Sequence, residues 1–559
     1  MSKKTLKRML IATLSASVLT MLTTTDNFVM ARSIISDVAN QALETTISSK
    51  YDLKFDKSIG KVYSKNCNGQ TVDYYAYENI VYVSKPVSIE YQSMNIYIPK
   101  GYLEGKTING YTAKTAPIFM PNGVGGYMPG KALTPLENDR MNGGPNAVLY
   151  ALSRGYVVAC PAVRGRTTVE RGVYVGKAPA FIVDYKAAVR YLRSNRENLP
   201  AGDPEKIISN GTSAGGALSA LLGVTGEADE YKPYLEEIGA AKNGADDIFA
   251  ASVYCPITNL DHADMAYEWI FNGVNKYYPA MWQLQDLANR GLYKPNEKSK
   301  IKVGGELDAD SANKPVPVEE AVDMTDNEIK VSAILKSEFD KYVNSLDLRD
   351  KNDKVLTLDD KGNGTFKDYI KSKYIESAQS ALDRGVDLSN IDWVTVRGSR
   401  VVDVDLEKYA ATVTRMKAAP AFDKLDLSSA ENDEFGTISN TPKHFSQTSK
   451  TYETKSGEMA DAEIIKMMNP MAFIDGNVKM ASHFRIRHGA ADRDTSLAIP
   501  AILALKLQDR GIDVDFFSPW GIGHAGDYDL KELFDWTDKI CKAATGQTKS
   551  VRPIHVMNK

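Results

Sequence analysis

Short apolar runs alternate with stretches of helical spacing in the first half of the chain. Ala116-Pro-Ile-Phe-Met120 is apolar and ends in Pro121-Asn-Gly-Val-Gly-Gly-Tyr127. That pattern predicts a buried strand breaking into a glycine loop. Ala147 to Leu152 predicts a helix, and Gly155-Tyr-Val-Val-Ala-Cys160 a second buried strand. Phe181, Ile182, Tyr185, Val189 and Leu192 fall at helical spacing. Lys206-Ile-Ile-Ser-Asn210 predicts a strand, and Ala217 to Leu222 continues as helix. The same texture returns late. Phe484-Arg-Ile-Arg487 and Val514-Asp-Phe-Phe517 predict strands, and Leu497 to Leu507 predicts a helix. In the last predicted helix, Leu530, Leu533, Phe534, Thr537, Ile540 and Cys541 share one face. Strand and helix in alternation predict an α/β fold with a mostly parallel sheet covered on both faces.

Residues 270–415 interrupt this pattern. They are rich in Asp, Lys, Asn and Glu, with one long amphipathic helix predicted from Glu328 to Leu346 and a turn-rich stretch at Asp359-Asp-Lys-Gly-Asn-Gly364. The reading is a core in two parts, 76–269 and 416–547, with 270–415 inserted as a lid. Residues 32–75 are a segment without an assigned role, and 548–559 form a tail.

The first 31 residues differ again. Lys3, Lys4, Lys7 and Arg8 precede an apolar stretch from Met9 to Leu22, and Val29-Met30-Ala31 offers small or apolar residues where a signal peptidase reads. This predicts a cleaved signal peptide and a secreted or periplasmic protein. Fourteen apolar residues are short for a membrane anchor, so no stable span is expected after cleavage.

Composition then narrows the function classes. The chain has 559 residues, 43% hydrophobic and 25% charged, ordinary for a globular protein and long for a single plain core. The formal charge is −3, and it falls to −6 once the basic leader is removed. That gives no electrostatic reason to expect nucleic acid as a partner. Four Cys stand far apart with no C-x-x-C pair, which disfavours a disulfide framework and a structural zinc site.

The sharpest chemical signal is Gly211-Thr-Ser213-Ala-Gly215-Gly216, between a predicted strand and a predicted helix. This is the context that the G-x-S-x-G nucleophile elbow of α/β-hydrolases requires. The tight turn lifts the Ser213 hydroxyl into the open and sets the Ala214 N–H at a helix N-terminus facing a substrate oxygen. A serine nucleophile needs a base, and the chain has six His to choose from. His555 lies in the tail, His444 in a polar stretch, His483 before a strand, and His262 upstream. His488 ends a strand. His524, in Trp520-Gly-Ile-Gly-His524-Ala-Gly526, sits on the loop joining the last predicted strand to the last helix, where this fold carries its base. The acid falls between Ser and His in chain order. Asp492, 32 residues before His524 on the loop after Phe484–Arg487, is assigned to orient the imidazole. Asp494 is the rival, with a helix N-cap as its plainer role. A second oxyanion donor is expected from the glycine loop at Gly126, with Gly125 as the alternative.

Beyond these motifs the chain resembles the bacterial tannases, similar to the Lactobacillus type. The matching stretches include Pro121-Asn-Gly-Val-Gly-Gly-Tyr-Met-Pro-Gly130, Arg164-Gly-Arg-Thr-Thr168, Asn210-Gly-Thr-Ser-Ala-Gly-Gly216, Tyr254-Cys-Pro-Ile257, His262-Ala-Asp-Met-Ala-Tyr-Glu-Trp269, Arg415-Met-Lys417, Pro420-Ala-Phe-Asp423 and Arg485-Ile-Arg-His-Gly-Ala-Ala-Asp-Arg-Asp-Thr-Ser496. They run from about residue 75 to 545. The resemblance implies a triad of Ser213, Asp492 and His524. It further implies that Lys417, Glu431 and Asp494 bind the three neighbouring hydroxyls of a galloyl ring, and that Ile257 packs on the ring face. Ala430 stands where the family often has Pro, on the opposite face of that clamp.

The expected reaction is serine-dependent acyl transfer from a polyphenol ester, a gallotannin, galloylated catechin or alkyl gallate, with no metal or organic cofactor. A feruloyl or other aryl esterase with the same triad is the alternative. A non-catalytic binding module on a hydrolase fold is the remote one.

Overall fold

A computed structural model describes residues 51–139, 143–279 and 321–544. The leader and the tail, with their expected roles, lie outside the described residues.

Nine strands make the central sheet: β1 (Lys61–Cys67), β2 (Gln70–Val81), β3 (Ser93–Pro99), β4 (Pro117–Pro121), β5 (Val157–Pro161), β6 (Asp203–Thr212), β7 (Ala250–Tyr254), β8 (His483–Arg487) and β9 (Asp513–Phe517). Their spatial order is β1-β2-β3-β5-β4-β6-β7-β8-β9. The first four in that order pair antiparallel, and from β5 onward every pairing is parallel. The segment left without a role therefore supplies β1 and the start of β2, at the antiparallel edge. β4 and β5 are exchanged in that order, and β6, which ends at Thr212, is a central strand with neighbours on both sides.

Burial explains why the parallel strands read as continuous apolar runs. Every residue of β4, β5 and β7 is buried, because helices cover both faces of a parallel sheet. The covering helices include α1 (Ala147–Ser153), α2 (Ala180–Ser194), α3 (Ala214–Val224), α4 (Leu260–Phe271), and later α8 (Ala498–Asp509) and α9 (Leu530–Ala543). α3 is wholly buried, so it shows small and apolar residues on every side rather than one stripe.

Within the expected lid, α5 (Asp326–Ser345), α6 (Thr365–Asp383), a hairpin of Val394–Arg397 with Arg400–Val404, and α7 (Leu406–Val413) are described. Thr325 caps α5 with a full capping box to Glu328. This region shares the main core: Phe339, Phe366, Tyr374, Trp393 and Tyr409 are buried in the same apolar cluster as the sheet. The insertion also braces two loops that matter below. The Tyr409 hydroxyl donates to the Ala490 carbonyl at 2.9 Å, and Trp393 stacks on Trp520 with ring centroids 5.2 Å apart. No helix among the described residues is long and apolar enough to cross a membrane.

Candidate active site

The site begins where β6 turns into α3. Ser213 sits at φ +61°, ψ −124°, a backbone region that residues with a Cβ rarely adopt. Its N–H donates to the Tyr254 carbonyl at the end of β7, 3.0 Å away. The turn closes tightly enough that a Cβ on Gly211 would strike the Gly215 carbonyl, and one on Gly215 would strike the Asn122 side chain. These glycines are steric requirements of the elbow. Ala214 opens α3, so its N–H has no partner within the helix and is free to meet an anion.

The acid and the base arrive from the C-terminal ends of β8 and β9. Asp492 Oδ2 lies 2.8 Å from His524 Nδ1. The other carboxylate oxygen accepts from the backbone N–H of Asp494 at 2.8 Å and of Thr495 at 3.2 Å. Asp492 is therefore the carboxylate hydrogen-bonded to the imidazole. Burial alone would raise its pKa, but the His524 and His488 rings and the hydrogen bonds hold it well below the usual carboxylate range. His524 is shifted the other way. Burial disfavours its charged form, yet Asp492 above all, with Cys255 and Asp494 beside it, outweighs burial and raises it well above an ordinary imidazole.

Asp494 does not cap a helix. The helix that follows, α8, starts at Ala498 with Leu497 at its N-cap and no side-chain cap. Instead Asp494 Oδ1 accepts from Lys417 Nζ at 3.0 Å and stands 3.8 Å from His524 Nε2. Lys417 is held over the Phe422 ring, 4.0 Å from its centroid. Glu431 is also buried, at 7% exposure. Its pKa is raised, chiefly by burial, while Lys417 pulls it back. Glu431 rides on a short helix, Ala430–Glu434, whose Ser429 N-cap forms a capping box with Asn432. Ile257 is 4% exposed. Its N–H donates to the Ser213 carbonyl at 3.3 Å, and its carbonyl accepts from Tyr127 Oη at 3.3 Å. Ile257 is thus tied to both the elbow and the glycine loop. In that loop Gly126 has φ +53°, and its carbonyl accepts from Arg166 Nε at 2.9 Å. Gly125 precedes it in the same exposed turn.

Three supports had no signal in spacing or composition. Arg415 and Glu268 form a fully buried ion pair, with contacts of 2.9 and 2.5 Å, and Arg415 Nε holds the Lys417 carbonyl at 2.6 Å. Asp423 accepts from Asn432 Nδ2 at 2.7 Å, from the Phe445 and Ser446 N–H groups, and meets His444 Nδ1 at 2.7 Å. It thereby pins the short helix that carries Glu431, and His444, unremarkable in sequence, is a buried partner in that network. The third is Cys255. Its backbone has φ +35°, its N–H donates to the Arg487 carbonyl at 2.6 Å, and its Sγ donates to the Ala525 carbonyl at 3.5 Å. Burial pushes its thiol pKa up, and the neighbouring His524 pulls it down in part.

Chemically, the arrangement offers a half-buried serine on a strained turn, a carboxylate-oriented imidazole, and a buried Lys between two carboxylates within reach of that imidazole. Such a set suits nucleophilic acyl transfer on a substrate with a polar, hydrogen-bonding acyl group.

Known proteins are similar to this chain in sequence and fold. The BD-FAE family model matches residues 129–269. Tannin acyl hydrolase from Lactobacillus plantarum is 44% identical, with 88% of this chain and 99% of that one aligned at a TM-score of 0.77. Fusobacterium nucleatum tannase is 48% identical over 88% of this chain and all of that one, at a TM-score of 0.79. A tannin acyl hydrolase in complex with ethyl gallate is 43% identical over 88% of this chain and 99% of its own, at a TM-score of 0.77. No curated protein matches the chain.

Proposed function

The chain belongs to the tannase family, and on that premise we propose that it hydrolyses galloyl esters through an acyl-enzyme on Ser213. The substrates are gallotannins, galloylated catechins and alkyl gallates. His524 takes the proton of Ser213 as the hydroxyl attacks the ester carbonyl, while Asp492 holds the imidazole tautomer. The Ala214 and Gly126 N–H groups receive the oxyanion. The alcohol leaves with the proton from His524, and water repeats the sequence to free gallic acid.

One observation carries the acyl-group assignment. Asp494 touches both Lys417, at 3.0 Å, and the catalytic imidazole, at 3.8 Å, so the charges that would read the ring stand beside the reacting ester. Phenol hydroxyls donate to Asp494 and Glu431 and accept from Lys417, each charged bond contributing about 1.5–3 kcal/mol. Ile257 supplies an apolar wall for the ring. The residues from 270 to 415 act as a lid, and the basic leader directs the protein out of the cytoplasm.

The test compares methyl gallate with methyl ferulate. A strong gallate preference that vanishes in Ser213→Ala, together with all turnover, is expected. Equal rates, or a ferulate preference, would overturn the galloyl reading in favour of a general aryl esterase.

A further inference from the structure

The strongest feature left unused is the thiol beside the triad. Cys255, Asp492 and His524 offer sulfur, carboxylate oxygen and imidazole nitrogen within 4.8 Å of one another. The other cysteines, Cys67, Cys160 and Cys541, are buried free thiols and join no such group among the described residues. Cys255 does not wander. Its left-handed backbone is held between two anchors: Tyr254, whose carbonyl accepts from Ser213 N–H at 3.0 Å, and Arg487, whose carbonyl accepts from Cys255 N–H at 2.6 Å. The thiol is therefore locked to the elbow on one side and to the end of the strand that leads to the Asp492 loop on the other.

Sulfur with imidazole and one carboxylate is a donor set for a soft or borderline divalent cation such as Zn²⁺. Ligands sit about 2.0–2.3 Å from a tetrahedral zinc and so about 3.5 Å from each other. The present group needs to close by about 1 Å to reach that geometry. The His524 side chain is 17% exposed, so an ion can approach from the substrate side, and a fourth position stays open to water.

We propose that Cys255, His524 and Asp492 form an inhibitory site for Zn²⁺ and similar thiophilic divalent cations. On binding, the Cys255 S–H bond breaks, its proton passes to solvent, and the sulfur takes the metal with no change of oxidation state. His524 gives the metal a lone pair. At Nε2 this blocks proton uptake from Ser213, and at Nδ1 it sends the ring proton to Nε2, which can then accept none from Ser213. Either way the base is lost. The inhibition rests on His524 being the catalytic base, but the binding does not.

Two readouts on the full chain test this. Co²⁺ added to chelator-treated enzyme is expected to give a thiolate-to-cobalt charge-transfer band at one equivalent, present in the wild type and in Ser213→Ala, and absent in Cys255→Ser and Cys255→Ala. Zn²⁺ is expected to inhibit methyl gallate hydrolysis at a concentration at least tenfold lower for the wild type than for Cys255→Ser, each measured against its own metal-free rate. A charge-transfer band in both Cys255 variants, no band in the wild type, or equal inhibition of wild type and variant overturns the proposal. A band in an enzyme without gallate esterase activity would support the metal site while removing the proposed function.

Discussion

Asp494 lies 3.8 Å from His524 Nε2 while Asp492 holds Nδ1 at 2.8 Å, so the imidazole is flanked by a carboxylate at each nitrogen. Both carboxylates stabilise the imidazolium and, with Cys255, outweigh its burial. The base must be neutral to accept a proton from Ser213. With the His524 pKa raised, the neutral form is populated only above the ordinary imidazole range. The acid limb of kcat/KM is therefore expected to lie above pH 6.5. In Asp494→Asn one of the two anions is gone, the His524 pKa falls, and the limb moves to lower pH. A benzoate ester without ring hydroxyls is the substrate for that profile, because it separates the electrostatic effect from lost gallate contacts. A limb that stays in place in Asp494→Asn would show that Asp494 does not act on the imidazole.

On gallate esters the same variant has a second effect. Asp494→Ala and Glu431→Ala each remove a charged partner for a ring hydroxyl, a loss of about 1.5–3 kcal/mol, or roughly ten- to a hundredfold in kcat/KM. Benzoate esters are expected to lose much less. Comparable losses on methyl gallate and methyl benzoate would mean that these carboxylates support the fold rather than read the ring.

Asp492 gives a different signature. Replacing it by Asn keeps the shape but offers His524 Nδ1 an amide that does not stabilise the imidazolium or hold the required tautomer. Loss of kcat by about ten-thousand-fold is expected, nearly equal on gallate and benzoate esters. A drop confined to gallates would assign Asp492 to recognition instead.

The proposed catalytic line Ser213, Asp492 and His524 could be read from sequence because its constraints are local. The elbow needs glycines at set offsets, and the base and acid must follow strands in a set chain order. The parallel strands were legible as apolar runs for the same reason that they are buried. What sequence missed is non-local. Strand β1 exposes most of its residues, so it carries no apolar run, and β2 supplies its pairing. Arg415 and Glu268 are separated by 147 residues and look like solvated charges until the fold buries both. His444 sat in a run of Lys, Ser and Thr that suggested surface, yet it is buried against Asp423. The proposed galloyl contacts Lys417 and Glu431 came from resemblance alone, since a lone Lys or Glu has no spacing that marks it.

The Arg415–Glu268 pair leads to a stability prediction. Glu268 Oε2 also accepts from Ser332 Oγ at 2.5 Å, so the pair joins α4 and α5 to the segment leading into Lys417. Glu268→Ala strands a buried guanidinium, a loss of about 3–5 kcal/mol. The denaturant midpoint is expected to fall accordingly, and KM for methyl gallate to rise as Lys417 loses its anchor. Glu268→Leu combined with Arg415→Met removes both charges and is expected to recover most of the stability without recovering KM. A single variant as stable as the wild type would show that solvent reaches the pair.

Two glycines near the triad separate steric need from mere frequency. At Gly215 a Cβ would meet the Asn122 side chain and lie 2.7 Å from the Val124 carbonyl. Neither can retreat easily. Asn122 is buried and donates to the Asn210 and Gly215 carbonyls and to Ser219 Oγ, each at 3.1 Å. Gly215→Ala is therefore expected to cost about 1–3 kcal/mol of stability. Because the strain falls two residues from Ser213, kcat should drop more steeply than the melting temperature implies. At Gly523, beside His524, a Cβ would meet nothing within 4 Å, and its φ is not in the left-handed region. Gly523→Ala is expected to fold with nearly the wild-type melting temperature, and its rate should stay within about tenfold, or 1.4 kcal/mol, of the parent. Thermal melts and methyl gallate kinetics on the two variants check the contrast. A tolerant Gly215 would mean that the loop carrying Asn122 and Val124 moves aside, and the elbow would then owe its shape to the strand and helix alone.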